Sequence, residues 1–192
     1  ITSPQSRQDV QYMRARSSAI ITGVNTIIAD DPSLNVRITS LDNYQPLRVI
    51  IDSNLKTPLH AKILNIPGET IIFTLCNDKK KIDSFSEKGT QVVSVNNEGD
   101  KVSLLEVMQW LAKQKQINEV LVETGPLLAG AMIEAKLVDE LVIYQAAKLI
   151  GSQAKGLIEL PESISMEQCI QLKLKDHRLF GTDERKIYSI NY

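Results

Sequence analysis

Apolar residues along the chain fall into short β-branched runs, and these alternate with stretches whose apolar positions recur at helical spacing. Ala19-Ile20-Ile21 ending in Thr22-Gly23, Leu47 to Ile51, Thr70 to Leu75, Gln91 to Val95, Glu119 to Val122 and Leu141 to Ala146 read as strands. Ser3-Pro4 is a helix start, with a capping Ser before a Pro that has no N–H to lose, and predicts a helix to about Arg16. Asn25 to Ala29 reads as a short helix closed by Asp30-Asp31-Pro32. Ser103-Leu104-Leu105-Glu106 is a capping box followed by Val107, Met108 and Leu111 at helical spacing. Glu119 to Val122 runs through Glu123-Thr124-Gly125 straight into Pro126, after which Leu128, Ala131, Met132 and Ala135 mark another helix. Ile170 to Leu174 and Lys186 to Ile190, around Phe180-Gly181-Thr182-Asp183, predict an antiparallel hairpin, while Lys79-Lys80-Lys81 reads as a solvated loop. Strands alternating with helices need crossovers, so the expected fold is α/β: a mostly parallel sheet flanked by helices, made mixed by the terminal hairpin.

Composition narrows the class without changing that picture. The 192 residues are 43% hydrophobic and 23% charged, which fits one globular domain, residues 1–192, and excludes disorder as the main state. Lys and Arg (22) nearly cancel Asp and Glu (23), so no broad field draws the chain to nucleic acid or to an anionic membrane. No apolar stretch approaches the roughly 18 residues of a membrane span, and the expectation is a soluble protein. Cys76, Cys169, His60 and His177 match no metal-ligand or disulfide spacing, which excludes zinc and suggests a reducing, cytoplasmic compartment. The chain opens on Ile1 with no preceding Met, as a piece cut from a longer polypeptide would.

Two segments carry candidate chemistry. In Glu123-Thr124-Gly125-Pro126-Leu127-Leu128-Ala129-Gly130 a strand feeds a helix through a Gly, which presents free backbone N–H groups and the positive helix end where phosphates bind in open α/β folds. An ordinary strand-to-helix turn has the same spacing, and the full Gly-rich dinucleotide fingerprint is absent. Gly130 suggests close approach of a neighbouring element, and Glu123 puts a carboxylate at a strand's end, costly unless paired or used. The second segment runs from Thr22 to Arg37. Its Asp30-Asp31-Pro32 reads most simply as a turn with solvated carboxylates, whereas Arg37 and the earlier Arg14 are candidates to grip a phosphate bidentately. No Gly-x-Ser-x-Gly elbow, Walker loop or nucleophile-His pairing is present, which leaves hydrolase and kinase chemistry without support.

Taken in order, six motifs resemble one family. They are Ile1-Thr2-Ser3-Pro4 with Arg14; Thr22-Gly23-x-x-Thr26-x-x-Ala29-Asp30-Asp31-Pro32-x-Leu34-x-x-Arg37; Arg48-Val49-Ile50-Ile51-Asp52-Ser53; Glu123-x-Gly125-Pro126-x-Leu128-Ala129-Gly130-Ala131; Leu137 to Leu141; and Lys148 to Gly151. This order is similar to the reductase domain of the bifunctional riboflavin-biosynthesis deaminase/reductase, across nearly the whole chain. The resemblance implies a dihydrofolate-reductase-like fold, a cytoplasmic homodimer, and NADPH-dependent reduction of 5-amino-6-(5-phosphoribosylamino)uracil to its ribitylamino product. It also implies site residues: Thr26, Asp30, Ser53 and Gly125, Pro126, Leu127, Leu128, Ala129, Gly130 and Ala131 at the cofactor, and Arg14, Leu34, Arg37 and Glu123 at the substrate. It assigns no proton donor and no metal.

The same family begins upstream of a residue equivalent to Ile1, with a central strand and turn that add substrate and cofactor contacts, and with a zinc deaminase domain. The expectation is a reductase domain short of its first strand, with a gap beside its central strands and no deaminase activity. Two other functions keep the fold but change the role: a relative that reduces a pterin or folate, and a non-catalytic nucleotide-binding or dimer-forming module.

Overall fold

A computed structural model describes residues 1–39, 44–151, 153–160 and 169–192. Five helices, α1 (Pro4–Arg16), α2 (Val24–Asp30), α3 (Lys79–Ser86), α4 (Leu104–Lys115) and α5 (Pro126–Glu134), are interleaved with the strands. The strands are β1 (Ala19–Gly23), β2 (Leu47–Ile51), β3 (Thr70–Thr74), β4 (Gln91–Ser94), β5 (Asn97–Glu98), β6 (Lys101–Val102), β7 (Val120–Val122), β8 (Glu140–Gln145), β9 (Gln171–Phe180) and β10 (Asp183–Asn191). The predicted alternation is therefore present, and β4, β3, β2, β1 and β7 lie side by side in that order, every pair parallel.

Both faces of this sheet are covered, which is why its strands read as continuous β-branched runs. Along β1, Ile20 joins Ile27, Ile50, Ile72 and Phe85 on one face, under α2 and α3. Ala19 and Ile21 join Val49, Phe73, Val107 and Leu111 on the other, under α4, with Leu128 of α5 packed against them. One-residue alternation thus sends successive side chains into two separate cores.

Three local expectations are corrected. Lys79-Lys80-Lys81 is the first turn of α3, where the Asp78 carboxylate accepts from the N–H groups of Lys80 and Lys81. Three cations at a helix start oppose its dipole, and only Ile82 and Phe85 mark its buried face, so the pattern hid the helix behind its charge. At α4 the Ser103 Oγ accepts from Glu106 N–H as the capping box predicts, but Glu106 Oε2 accepts from Asn96 N–H, and Ser103 N–H donates to the Asn96 carbonyl. The hairpin β9–β10 does not extend the main sheet: β10 pairs with β8 and β9, both antiparallel, in a sheet of three.

Helix α1 ties the two sheets together. Ser3 N–H and Ser6 Oγ both donate to Asp183 at the hairpin turn, at 2.6 and 2.7 Å. Asp9 accepts from Arg185 Nη1 of β10 (2.7 Å) and from the Tyr144 hydroxyl of β8 (2.5 Å), while Arg185 also bonds Asp176 and lies over the Phe180 ring. Burial, with the Asp9 carboxylate beside it, pushes the Tyr144 phenol well above its ordinary range, so it stays a donor. Five residues further along α1, Arg14 reaches the parallel sheet.

Between the two sheets lies a groove of about 810 Å³. The edge of β7 (Val120, Leu121, Val122) that is unpaired among the described residues forms one wall and β8 (Leu141, Val142, Tyr144) the other, with Met13 of α1 and Met132 and Ile133 of α5 also lining it.

Candidate functional site

The carboxyl ends of β1, β2 and β7 bring together the segments singled out in the sequence. β1 passes through Gly23 into α2, and β7 passes through Glu123 and Gly125 into α5; neither Gly23 nor Gly125 has a side chain capping its helix. The two turns touch, because a Cβ on Gly23 would meet Thr124 Oγ1 and Leu128 Cδ2 at 3.4 Å. Thr26, in the first turn of α2, accepts a hydrogen bond from Gly125 N–H at 3.2 Å and so fixes one helix start against the other. With Pro126 at the first helical position, the uncapped N–H groups at the start of α5 belong to Leu127 and Leu128. These and the helix dipole are suited to an anion, and a Cβ on Gly125 would meet only Thr26 Oγ1, at 3.8 Å.

The rest of the expected cofactor segment is divided by the helix geometry. Leu127 is exposed, and Leu128 packs on the core under the sheet. Ala129 faces the groove, and Ala131 lies one turn into the helix, its carbonyl bonded by Ala135 N–H. A Cβ on Gly130 would stand 1.7 Å from the Glu159 carbonyl, so Gly130 exists to let residues 159 and 160 cross α5; Glu159 N–H bonds the Pro126 carbonyl. The close approach predicted for Gly130 is present, and its neighbour is backbone. Asp30 lies four residues after Thr26, on the same side of α2, and is exposed. Ser53 follows β2: its carbonyl accepts from Leu75 N–H and Thr74 Oγ1, and its Oγ accepts from Val102 N–H, so it knits β2, β3 and β6 together.

On the substrate side, Glu123 is held at the end of β7 by its N–H bond to the Ile21 carbonyl. Its carboxylate receives Arg14 Nε and Nη2, each at 2.7 Å, while Arg14 Nη1 donates to the Asn35 carbonyl at 3.1 Å. The pair is largely withdrawn from solvent, with 12% and 23% of the two side chains exposed. The carboxylate at the strand end is thus paired, and three of the five N–H donors of Arg14 are spent. Arg14 is therefore not a free phosphate clamp alongside Arg37, contrary to the sequence expectation; its planar fork is matched to Glu123.

Leu34 and Arg37 sit on a stretch without regular structure. Leu34 takes a left-handed backbone conformation (φ 47°) and places its side chain in the core with Ile20 and Ile27, so its side chain is committed to packing. Arg37 is exposed beside a pocket of about 380 Å³ that Gln8, Gln11, Ile38 and Thr39 also line. Its backbone N–H donates to Gln11 Oε1. Gln11 and Gln45, which together hold residues 36 and 37, were not singled out from the sequence, because a lone glutamine carries no pattern.

Among the described residues no group of three or more His, Cys, Asp and Glu is placed to hold a metal ion, and no helix is long and apolar enough to cross a membrane.

Comparison with known proteins bears on the same residues. Residues 1–184 match the family described as the RibD C-terminal domain. The chain is 42% identical over 195 residues to the riboflavin biosynthesis protein RibD of Escherichia coli, covering 95% of this chain and 52% of that one. It is 34% identical to the 5-amino-6-(5-phosphoribosylamino)uracil reductase of Buchnera aphidicola, covering 98% and 94% respectively. The solved structure of Acinetobacter baumannii RibD superposes with a TM-score of 0.88 at 34% identity, over all of this chain and 52% of that one. The chain thus spans about half the length of the RibD relatives it matches and nearly all of the Buchnera reductase. With the expected motifs at the ends of β1, β2 and β7 and these matches along its length, the chain belongs to the RibD C-terminal domain family.

Proposed function

We propose that this domain reduces 5-amino-6-(5-phosphoribosylamino)uracil to 5-amino-6-(5-phosphoribitylamino)uracil with NADPH, a step of riboflavin biosynthesis. The observation that carries the reading is the meeting of two helix starts with the Glu123–Arg14 pair: a phosphate-binding surface and a fixed carboxylate share the carboxyl edge of one sheet. The identity to a named reductase of almost equal length supports the substrate.

NADPH, when bound, supplies the hydride that converts the imine of the ring-opened sugar to a secondary amine. The start of α5 is suited to the cofactor's pyrophosphate, with N–H groups of Leu127 and Leu128 directed outward and Thr26 fixing Gly125. Glu123, oriented by Arg14, is a fixed anion that stabilises the cationic imine and bonds donors of the substrate. Arg37, exposed beside its pocket, meets the ribose phosphate. Holding donor and acceptor together on a rigid sheet edge is the main catalytic contribution of the chain. No residue here is assigned as an obligatory proton donor. Measuring NADPH consumption with the aminouracil ribosylamine phosphate, and again with a pterin or a folate, tests the substrate: turnover confined to the first supports the reading, and equal use of a pterin refutes it. The small phosphorylated substrate is the partner this reading requires; homodimerisation and a cytoplasmic location are inherited from the resemblance as proposals.

For the domain itself we propose residues 1–192 as a reductase domain short of one strand. The groove supports this: among the described residues β7 and β8 each present an unpaired edge to it, and Met13, Met132 and Ile133 line it with them. Glu119 carbonyl and Glu123 N–H point to β1, so the backbone groups of Val120 and Val122 face the groove. Hydrogen exchange checks it. In residues 1–192 the proposal expects fast exchange at Val120 and Val122 N–H, and slow exchange there, which would mean that a strand of this same chain already covers the edge, contradicts it.

A further inference from the structure

Residues 35–37, which lead to the substrate-side Arg37, are irregular, yet their backbone is bonded at every residue by a side chain from elsewhere. The Asn35 carbonyl accepts from Arg14 Nη1. Val36 is held twice by one amide: its N–H donates to Gln45 Oε1 at 2.9 Å and its carbonyl accepts from Gln45 Nε2 at 3.0 Å. Arg37 N–H donates to Gln11 Oε1 at 2.8 Å. The Gln45 side chain offers one acceptor and one donor, as a residue of a neighbouring antiparallel strand would, so the segment is fixed like a strand without belonging to a sheet. Immediately before it, Leu34 is buried at positive φ, a conformation a leucine keeps only where its surroundings enforce it. Gln11 itself lies one helical turn before Arg14 on α1, so one helix face orients both Glu123 and the segment that bears Arg37.

We propose that Gln11 and Gln45 are positioning residues for substrate phosphate recognition, acting through the backbone at Val36 and Arg37. This rests on the function proposed above, in which Arg37 meets the ribose phosphate. The two glutamines use different atoms and so leave a distinct signature. Only the oxygen of Gln11 is used, and Gln11→Glu retains it, whereas Gln11→Met does not. Gln45 uses both oxygen and nitrogen, and Gln45→Glu sets a second oxygen against the Val36 carbonyl, so Glu fails there as Met does.

Two measurements on each variant test this. The first is binding of ribose 5-phosphate by calorimetry together with KM and kcat in the NADPH assay. Gln11→Met, Gln45→Met and Gln45→Glu are expected to weaken ribose 5-phosphate and raise the substrate KM about five- to tenfold, the size of one or two lost hydrogen bonds. The KM for NADPH and kcat stay within about twofold in these three, and Gln11→Glu keeps Arg37 N–H slow to exchange, since it retains the acceptor. The second is hydrogen exchange, in which Gln11→Met releases Arg37 N–H and Gln45→Met releases Val36 N–H. Unchanged sugar-phosphate binding in Gln11→Met and Gln45→Met overturns the proposal, as does an equal loss of NADPH and substrate affinity, which marks a general loss of structure. An unaltered protein that binds ribose 5-phosphate without turning over the aminouracil refutes the proposed function and leaves the glutamine assignment to be decided by the binding arm. An unaltered protein that binds no sugar phosphate overturns both.

Discussion

Arg14 and Glu123, 109 residues apart in sequence, meet fork to fork with both oxygens of the carboxylate engaged at 2.7 Å. The contact joins α1 to the end of β7. It explains why a carboxylate is tolerated at the edge of a core, and it removes Arg14 from the role of independent phosphate ligand. A double-mutant cycle over Arg14→Met and Glu123→Gln measures the coupling. Each single change is expected to cost about 1–3 kcal/mol of unfolding free energy, and the double change less than their sum, because neither partner is then left alone. Additive costs would mean the pair carries no coupling.

Arg37→Ala tests the phosphate contact separately. The expected result is a substrate KM about tenfold or more higher with stability unchanged, since an exposed arginine contributes little to folding but a charge-assisted bond contributes to binding. The dephosphorylated ribosylamine should be reduced equally by both proteins. A variant that distinguishes the two substrates as well as the unaltered protein places the phosphate elsewhere.

Gly130→Ala has a stated steric target. Its methyl group would fall 1.7 Å from the Glu159 carbonyl, so α5 or residues 159 and 160 must move. Melting curves are expected to show a loss of about 1–3 kcal/mol, the usual range for overpacking. An unchanged Tm would mean that the crossing segment is not held against α5.

Acid should loosen the junction between α1 and the hairpin. Asp183 is buried, and the Ser3 N–H, followed by the Ser6 hydroxyl, holds its carboxyl below the usual range. A depressed folded value means the stabilisation is complete above the unfolded value of about 3.9 and is lost as pH falls through the lower folded one. Asp183→Asn should therefore be less stable at neutral pH and show a shallower acid decline below about pH 4. Equal acid slopes in the two proteins would remove Asp183 from the account.

Most of the fold is legible in the sequence because both faces of the parallel sheet are buried. Runs such as Leu47 to Ile51 announce themselves, and Ser3-Pro4 and Ser103 mark helix starts by chemistry that acts locally. Helix α3 was concealed by Lys79-Lys80-Lys81, and the separation of the hairpin from the main sheet is a tertiary pairing with β8 that no local pattern encodes. At the site, Gly125 and Glu123 were visible as a strand-to-helix turn. Which group Arg14 faces, and that Gln11 and Gln45 hold residues 36 and 37, depend on contacts between distant segments, and a single glutamine leaves no signature in a sequence.

The central claim is a reductase site at the carboxyl edge of β1 and β7. Its most direct test is the initial rate of NADPH oxidation by the protein with 5-amino-6-(5-phosphoribosylamino)uracil, with the ribitylamino product identified by mass. The account predicts saturable turnover with one product formed per NADPH consumed, falling at least about tenfold in kcat/KM for Glu123→Gln, the loss of roughly one charged hydrogen bond. Turnover that Glu123→Gln leaves unchanged, or saturable binding of both compounds with no product, would contradict it.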